Sequence, residues 1–113
     1  MDTAIRENAD RLIEAIRNSS DYRNYQKCEA ALDRFPGVFD QIMELRKKTI
    51  ELYESVESGD LSETTEALRN EYEQLEKIPE VNAFLEAEEN IVQILKELNC
   101  DLFNAVTIRV PNI

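Results

Sequence analysis

The side chains that could carry out chemistry are carboxylates, four tyrosine hydroxyls and two thiols, because the sequence contains no His. Without His, histidine general acid–base catalysis, phosphotransfer through histidine and the Glu-x-x-His pairs of di-iron bundles are excluded. Glu88 and Glu89 are adjacent carboxylates, but acid–base catalysis needs a pocket that shifts a carboxyl pKa, and acidic helical surfaces produce such pairs without one. The sequence also has no Gly-rich phosphate loop and no Ser/His/Asp set. It therefore predicts a protein that is not an enzyme.

The tyrosine and cysteine positions favour structural roles. Tyr22 and Tyr25 share one stripe of a predicted helix, where a tyrosine ring packs against its neighbours and keeps its hydroxyl at the edge. Cys28 and Cys100 are too few and too far apart for a disulfide framework. In a reducing compartment each is expected to be a packed small side chain or a free thiol. These residues by themselves predict no cofactor and no metal site.

The charge of the chain limits its partners. The net charge is −11, from 13 Lys and Arg against 24 Asp and Glu, and this works against direct binding to nucleic acid or to an anionic membrane. The basic cluster at residues 46–48 is interpreted as a solvated stretch. No apolar run approaches the roughly 20 residues that span a bilayer, and the N-terminus lacks the features of a signal peptide. We therefore expect a cytoplasmic protein.

Helical periodicity and its interruptions predict an all-α fold. Ser19 or Ser20 can cap a second helix, residues 35–37 (Phe-Pro-Gly) predict a turn, Asp60 opens a capping box, and Pro79 suits the first turn of a last helix. These signals describe a single domain, residues 1–113, with a five-helix antiparallel bundle-like architecture and a long C-terminal helix. The predicted helices cover residues 3–17, 20–34, 38–58, 61–77 and 79–106, followed by a frayed tail at 107–113.

Two of these helices carry more apolar surface than one neighbour can cover. The last helix places apolar side chains at the a and d positions of a heptad repeat, and the third helix is apolar on two sides. Such surfaces are typical of helices that pack against a second subunit, so the sequence predicts a dimer. The candidate interface draws on both helices: Ile42, Ile50, Val81, Leu85, Glu88, Ile91, Val92, Leu95, Leu98 and Leu102.

Glu88 is the exception within the heptad stripe of the last helix. A carboxylate at this position either leans out to water at the rim, where it sets the register, or is held by a buried donor such as a Tyr hydroxyl or an Arg. The rim interpretation is preferred, because acidic side chains are rarely buried without a partner.

Two segments resemble a known family. Residues 16–25 (IRNSSDYRNY) are similar to a Ser, acidic and aromatic signature at the start of a second helix, and residues 79–88 (PEVNAFLEAE) are similar to a Pro-x-Val-x-x-(aromatic)-Leu-x-Ala-Glu opening of a last long helix. Both signatures are those of the YlbF/YmcA family of small bacterial cytoplasmic helical proteins, which is known from the control of competence and biofilm formation. The chain therefore resembles this family. The resemblance extends from about residue 5 to residue 108. Ile78 departs from it, since a polar capping residue is expected before the proline.

The resemblance implies a non-enzymatic accessory protein that is dimeric or of higher order. Some members of the family form a hetero-complex that carries iron–sulfur clusters and modulates a membrane-anchored endoribonuclease in mRNA processing. The implied partners are therefore a second copy of the chain, a paralogue and such an endoribonuclease. The alternative function is a self-associating structural helical module that has no heterologous partner.

Of the properties that the resemblance implies, the iron–sulfur cluster fits the residues of this chain least well. Cluster ligation needs several thiolates, and the chain offers two. Cys100 could supply one ligand to a cluster shared within a hetero-complex, but a packed structural thiol is the preferred interpretation because its neighbours are apolar. The expectation is that the chain binds no cofactor by itself.

Overall fold

The computed structural model describes residues 1–54 and 62–106, and within them every regular element is helical. The all-α prediction is confirmed in this part of the chain. The dimer and the bundle arrangement stay predictions, as does the single domain. The five helices are α1 (Thr3–Arg17), α2 (Ser20–Ala31), α3 (Val38–Glu54), α4 (Ser62–Glu76) and α5 (Pro79–Val106), and a 3₁₀ turn (Leu32–Arg34) follows α2.

The second helix is shorter than predicted, because a 3₁₀ turn replaces its last residues. Phe35 precedes Pro36, whose ring disfavours helical geometry in the residue before it. Phe35 accordingly has φ −122° and ψ 84°. Gly37 then adopts φ 84°, in the left-handed region that a glycine reaches without strain. The predicted turn at 35–37 is therefore confirmed, and it fixes the point where α3 begins.

The start of α2 is capped by Ser19, one of the two serines predicted for this role. Its Oγ accepts a hydrogen bond from the backbone N–H of Tyr22 at 3.2 Å. The same hydroxyl donates to the carbonyl of Ile16 at 2.6 Å, so it also binds the last turn of α1. The Ser19 hydroxyl therefore forms hydrogen bonds both with the last turn of α1 and with the first turn of α2.

The junction of α4 and α5 is held by backbone hydrogen bonds to Ile78 and by the side chain of Asn82. The backbone N–H groups of Val81 and Asn82 donate to the carbonyl of Ile78 at 3.0 and 3.4 Å. The side-chain amide of Asn82 donates to the carbonyl of Glu76 at 2.7 Å, which satisfies a carbonyl at the end of α4. Asn82 therefore caps the C-terminal end of α4, which is a different role from the N-cap of α5 that was expected of residue 78.

The chain divides into two compact units, unit 1 (residues 1–26 and 86–113) and unit 2 (residues 27–85). Unit 2 has an apolar core. In it, α3 packs against α4 and against the 3₁₀ turn, and the rings of Phe39 and Phe84 meet edge to face with centroids 6.1 Å apart. The buried side chains of unit 2 are Leu32, Val38, Ile42, Leu45, Leu68, Leu75, Val81 and Phe84.

Unit 1 has almost no core of its own. Among its described residues only Ala87 is buried, and α1 contains no buried residue. The apolar side chains of α1 are largely uncovered, since Ile5 is 58% exposed and Leu12 is 40% exposed. The helices of unit 1 therefore form their apolar faces without burying them.

Several predicted features lie outside the described residues. They are the last turn of the third helix at 55–58, the capping box at Asp60, Leu61 at the start of the fourth helix, and the tail at 107–113.

The cap at Ser19 leads to a prediction about stability. Ser19→Ala removes the acceptor for the Tyr22 N–H and should lower the free energy of unfolding by about 1 kcal/mol. Ser20→Ala is the matched control, because Ser20 is already inside α2 and exposed. Its effect should stay within about 0.5 kcal/mol. Urea denaturation followed by circular dichroism, at one fixed protein concentration, measures both values, and equal losses would contradict the assignment of the cap.

Candidate interaction surfaces

The described residues offer no arrangement typical of a reaction centre. No group of three or more His, Cys, Asp or Glu side chains is placed to hold a metal ion within residues 1–54 and 62–106. No buried side-chain nitrogen or oxygen in the same residues lacks a hydrogen-bond partner. None of the described helices has the length and apolarity needed to cross a bilayer. What the molecule presents instead are uncovered apolar surfaces.

The two thiols differ in exposure. Cys28 is half-buried in α2, whereas Cys100 is exposed on α5. The interpretation of Cys100 as a packed thiol is therefore wrong for this structure. Its apolar neighbours Leu98 and Leu102 lie on the heptad stripe, but Cys100 falls two residues from each and so points away from that stripe. The side-chain amide nitrogen of Asn104 donates a hydrogen bond to the Cys100 sulfur at 3.5 Å.

The tyrosine pair of α2 matches the structural interpretation. The rings of Tyr22 and Tyr25 are stacked, with centroids 6.0 Å apart and an interplanar angle of 30°. Both residues are half-buried. Each ring thus covers part of the other, as packed side chains do.

The ten candidate interface residues separate by burial. Ile42 and Val81 lie in the core of unit 2, so their side chains are not available to a partner in this conformation. Ile50, Leu95 and Leu102 are exposed large apolar side chains. The interface as a whole stays a prediction. The remaining members are half-buried and can contribute to a contact: Leu85, Glu88, Ile91, Val92 and Leu98.

We call the part of this set that lies in unit 1 the C-terminal stripe, comprising Ile91, Val92, Leu95, Leu98 and Leu102 of α5. Leu95 is 50% exposed and Leu102 is 57% exposed, and none of the five is buried. Exposure of several large apolar residues along one helix face is typical of a protein-binding surface. The structure leaves Leu95 and Leu102 of the C-terminal stripe exposed and covers Ile91, Val92 and Leu98 only in part.

Glu88, just before the C-terminal stripe, is half-buried and does not lack an interaction partner. Since it is neither fully buried nor fully solvated, it lies at an edge of the apolar surface. Both alternatives for Glu88, the rim residue and the residue held by a donor, therefore stay predictions.

A second uncovered surface lies between α3 and α4, and the sequence analysis did not identify it as a site. We call it the α3–α4 groove. It encloses about 590 Å³. Thr49 and Tyr72 bridge its base, with their hydroxyl oxygens 3.4 Å apart. Its lining comprises Thr49, Leu52, Tyr53, Thr65, Leu68, Arg69 and Tyr72.

Thr49 and Leu52 lie on the same side of α3 as Val38, Ile42 and Leu45, at three- and four-residue steps along the helix. That side is buried at Val38, Ile42 and Leu45 but is only half-covered from Thr49 onward. Helical periodicity assigns each residue to a face of the helix, but it does not show where along the helix the packing against a neighbouring helix ends. The groove was missed for this reason.

A charged pair also bridges α3 and α4. Lys48 Nζ lies 3.7 Å from Glu71 Oε2, in a cleft of about 400 Å³ that also contacts Leu45 and Leu75. The pair is about half exposed, so it contributes little to stability. It does neutralise one of the three cations of the basic cluster, and Arg46 of that cluster is half-buried and also has an interaction partner. The cluster is thus partly engaged within the chain.

Comparison with known proteins identifies a family. A sequence model described as "Control of competence regulator ComK, YlbF/YmcA" matches residues 5–107. This range contains both segments that carried the resemblance, at 16–25 and 79–88, and nearly the whole helical part of the chain. No curated protein and no solved structure matches the chain.

The exposure of the thiols predicts their order of reaction. In the folded protein Cys100 should react with iodoacetamide faster than Cys28, because reagent access limits alkylation of a half-buried thiol. Mass spectrometry of the Cys28→Ser and Cys100→Ser variants over time measures the two rates. The difference should disappear in denaturant. Faster labelling of Cys28 in the folded protein would show that the C-terminal half of α5 is covered in solution.

Proposed function

Because this chain belongs to the YlbF/YmcA family, we propose that it is a non-enzymatic regulatory protein that acts by binding other proteins through its helices. Family membership implies a role related to the control of a competence regulator. We propose in addition that the chain exerts this role through contacts made by its helices and not through catalysis. The observation that carries it is the exposure of Leu95 and Leu102 on the C-terminal stripe.

The energetics of unit 1 support a binding role. Burial of a Leu or Ile side chain contributes roughly 1.5–3 kcal/mol, and the described residues of unit 1 bury only Ala87. Helices get most of their stability from packing of an amphipathic face. A second chain that covers Leu95 and Leu102 would supply the burial that unit 1 lacks. We propose that this chain is a second copy or a paralogue.

The acidic surface favours a role in which a partner, and not this chain, contacts RNA. A chain with a net charge of −11 repels the phosphate backbone of RNA. An accessory role in mRNA processing would therefore leave RNA contact to a partner. We propose that the partner is an endoribonuclease whose activity this chain modulates, in the context of competence or biofilm control.

An iron–sulfur cluster held by one copy of this chain does not fit its residues. The sequence provides two cysteines where such clusters take four ligands, and the described residues contain no metal-binding group. The proposed function therefore includes no cofactor on the isolated chain.

The experiment that tests the regulatory role is an anaerobic pull-down of the tagged chain from its own host. Mass spectrometry identifies the partners, and an absorption spectrum is recorded on the purified complex. We expect recovery of a paralogue or an endoribonuclease in place of random abundant proteins. Recovery of the chain alone would contradict the heterologous role and favour the self-associating module.

A variant of the C-terminal stripe tests the proposed surface. Leu95→Asp puts a charge into the centre of the contact, which should weaken association with the recovered partner at least ~30-fold. Gln93→Asp is the matched control, because it introduces the same charge on the same helix at an exposed polar position outside the stripe. Calorimetric titration gives the affinities, and circular dichroism verifies that both variants stay helical. Equal affinities of the two folded variants would place Leu95 outside the contact.

A further inference from the structure

The α3–α4 groove has the features of a site for a small molecule. It encloses about 590 Å³, which is within the range of cavities that hold such ligands. The exposure of its lining rises from base to rim, since Thr49 and Tyr72 are half-buried whereas Tyr53 is 73% exposed. We propose that this groove binds a small, neutral, apolar molecule with one hydroxyl group, and that this hydroxyl donates a hydrogen bond to the oxygen of Tyr72.

The hydroxyl protons at the base of the groove define what the ligand must supply. Thr49 Oγ1 lies 2.8 Å from the carbonyl oxygen of Leu45, which can only accept, so the Thr49 hydroxyl donates its single proton there. In the 3.4 Å contact between the two hydroxyls, the proton therefore comes from Tyr72. With both protons directed at groups of the chain, the oxygen of Tyr72 faces a ligand as an acceptor. A ligand that forms a hydrogen bond at the base must therefore be the donor.

The walls of the groove require the rest of the ligand to be apolar. Leu52 and Leu68 supply aliphatic surface, and Tyr53 adds aromatic surface. A ligand with several polar groups would lose hydrogen bonds to water along these walls without replacing them. A single donor on an apolar body matches both the walls and the base.

The charge of the chain favours a neutral ligand over an anionic one. A carboxylate that approaches this chain is repelled by its net charge of −11. Arg69 places one cation at the groove, but an ionised carboxylate brings only lone pairs to the base, where the oxygen of Tyr72 needs a donor. A cation would be attracted to the chain but would have to leave water against the apolar walls.

This site does not rest on the proposed function. All residues that line the groove belong to unit 2, whereas the C-terminal stripe belongs to unit 1. Binding of a small molecule in the groove needs no second protein, so it can be measured on the isolated chain. Its result is therefore independent of the pull-down and of the Leu95→Asp variant.

The first test uses 2-naphthol as the probe and naphthalene as the same apolar body without the hydroxyl. Titration of the isotope-labelled native chain is followed by NMR of its backbone amides. 2-Naphthol should shift the amides of Thr49, Leu68 and Tyr72 in a saturable way, with a dissociation constant of about 0.1–1 mM. Naphthalene should bind at least ~3-fold more weakly, because it lacks the donor. 2-Naphthoate, which is anionic at neutral pH, should also bind at least ~3-fold more weakly than 2-naphthol.

The second test uses variants of the base, the rim and the wall. Tyr72→Phe removes the acceptor and should weaken 2-naphthol binding ~3- to 10-fold, while naphthalene binding changes less than ~2-fold. Tyr53→Phe is the matched control, because it removes the same atom from the exposed rim of the same groove and should change both affinities less than ~2-fold. Leu52→Ala removes wall surface and should weaken both probes by a similar factor of at least ~3. Circular dichroism verifies that each variant is folded.

Each contrary result overturns a stated part of the proposal. If 2-naphthol gives no saturable shift at these amides up to its solubility limit, the groove is not a ligand site and is left to a macromolecular partner. Equal affinities for 2-naphthol and naphthalene, or equal losses in the two Tyr→Phe variants, overturn the hydrogen bond to Tyr72. Tighter binding of 2-naphthoate than of 2-naphthol overturns the assignment of a neutral ligand.

Discussion

The structure depends on one constraint, namely that an amphipathic helix is stable only when its apolar face is covered. In unit 2 this is achieved around Phe84, which is fully buried and meets Phe39 edge to face. Removing a buried aromatic ring of this kind costs about 3–5 kcal/mol, which is a large part of the stability of a small domain. The ends of α3, α4 and α5 are fixed relative to this core by local devices, such as the positive φ of Gly37 and the amide of Asn82.

The same constraint is only partly satisfied elsewhere. The C-terminal stripe and the α3–α4 groove are both continuations of helix faces that are buried at one end. Ile42 and Leu45 of α3 lie in the core, while Leu52 further along is half-covered. On α5 the buried run ends at Ala87, and Leu95 is exposed. Exposed apolar surface on these helices therefore starts where intrachain cover stops.

Element boundaries could be predicted from the sequence because they depend on local chemistry. Three residues show this: the proline at residue 36, the glycine at residue 37 and the serine at residue 19. Each acts on the backbone within a few residues, so its effect can be predicted from the residue type and its position in the sequence. Burial could not be predicted so well, because it depends on which helix lies opposite. Leu12 and Cys100 have apolar neighbours in sequence but are exposed, and Ile42 belongs to the core although it shares a helix with the exposed Ile50. The groove was missed for the same reason, since Arg69 carries no sequence signal that separates it from any other surface cation.

The shortage of buried residues in unit 1 also has a consequence for the amount of protein that a cell can keep. A copy that has found no partner displays Ile5, Leu95 and Leu102 to its surroundings, and such surfaces are what chaperones and proteases of the quality-control system recognise. Because a bound partner stabilises the folded state to a degree that rises with its own free concentration, the proposed binding role implies that unpaired copies are degraded faster than paired ones. Under that proposal, the abundance of this chain would follow the abundance of the partner that covers it.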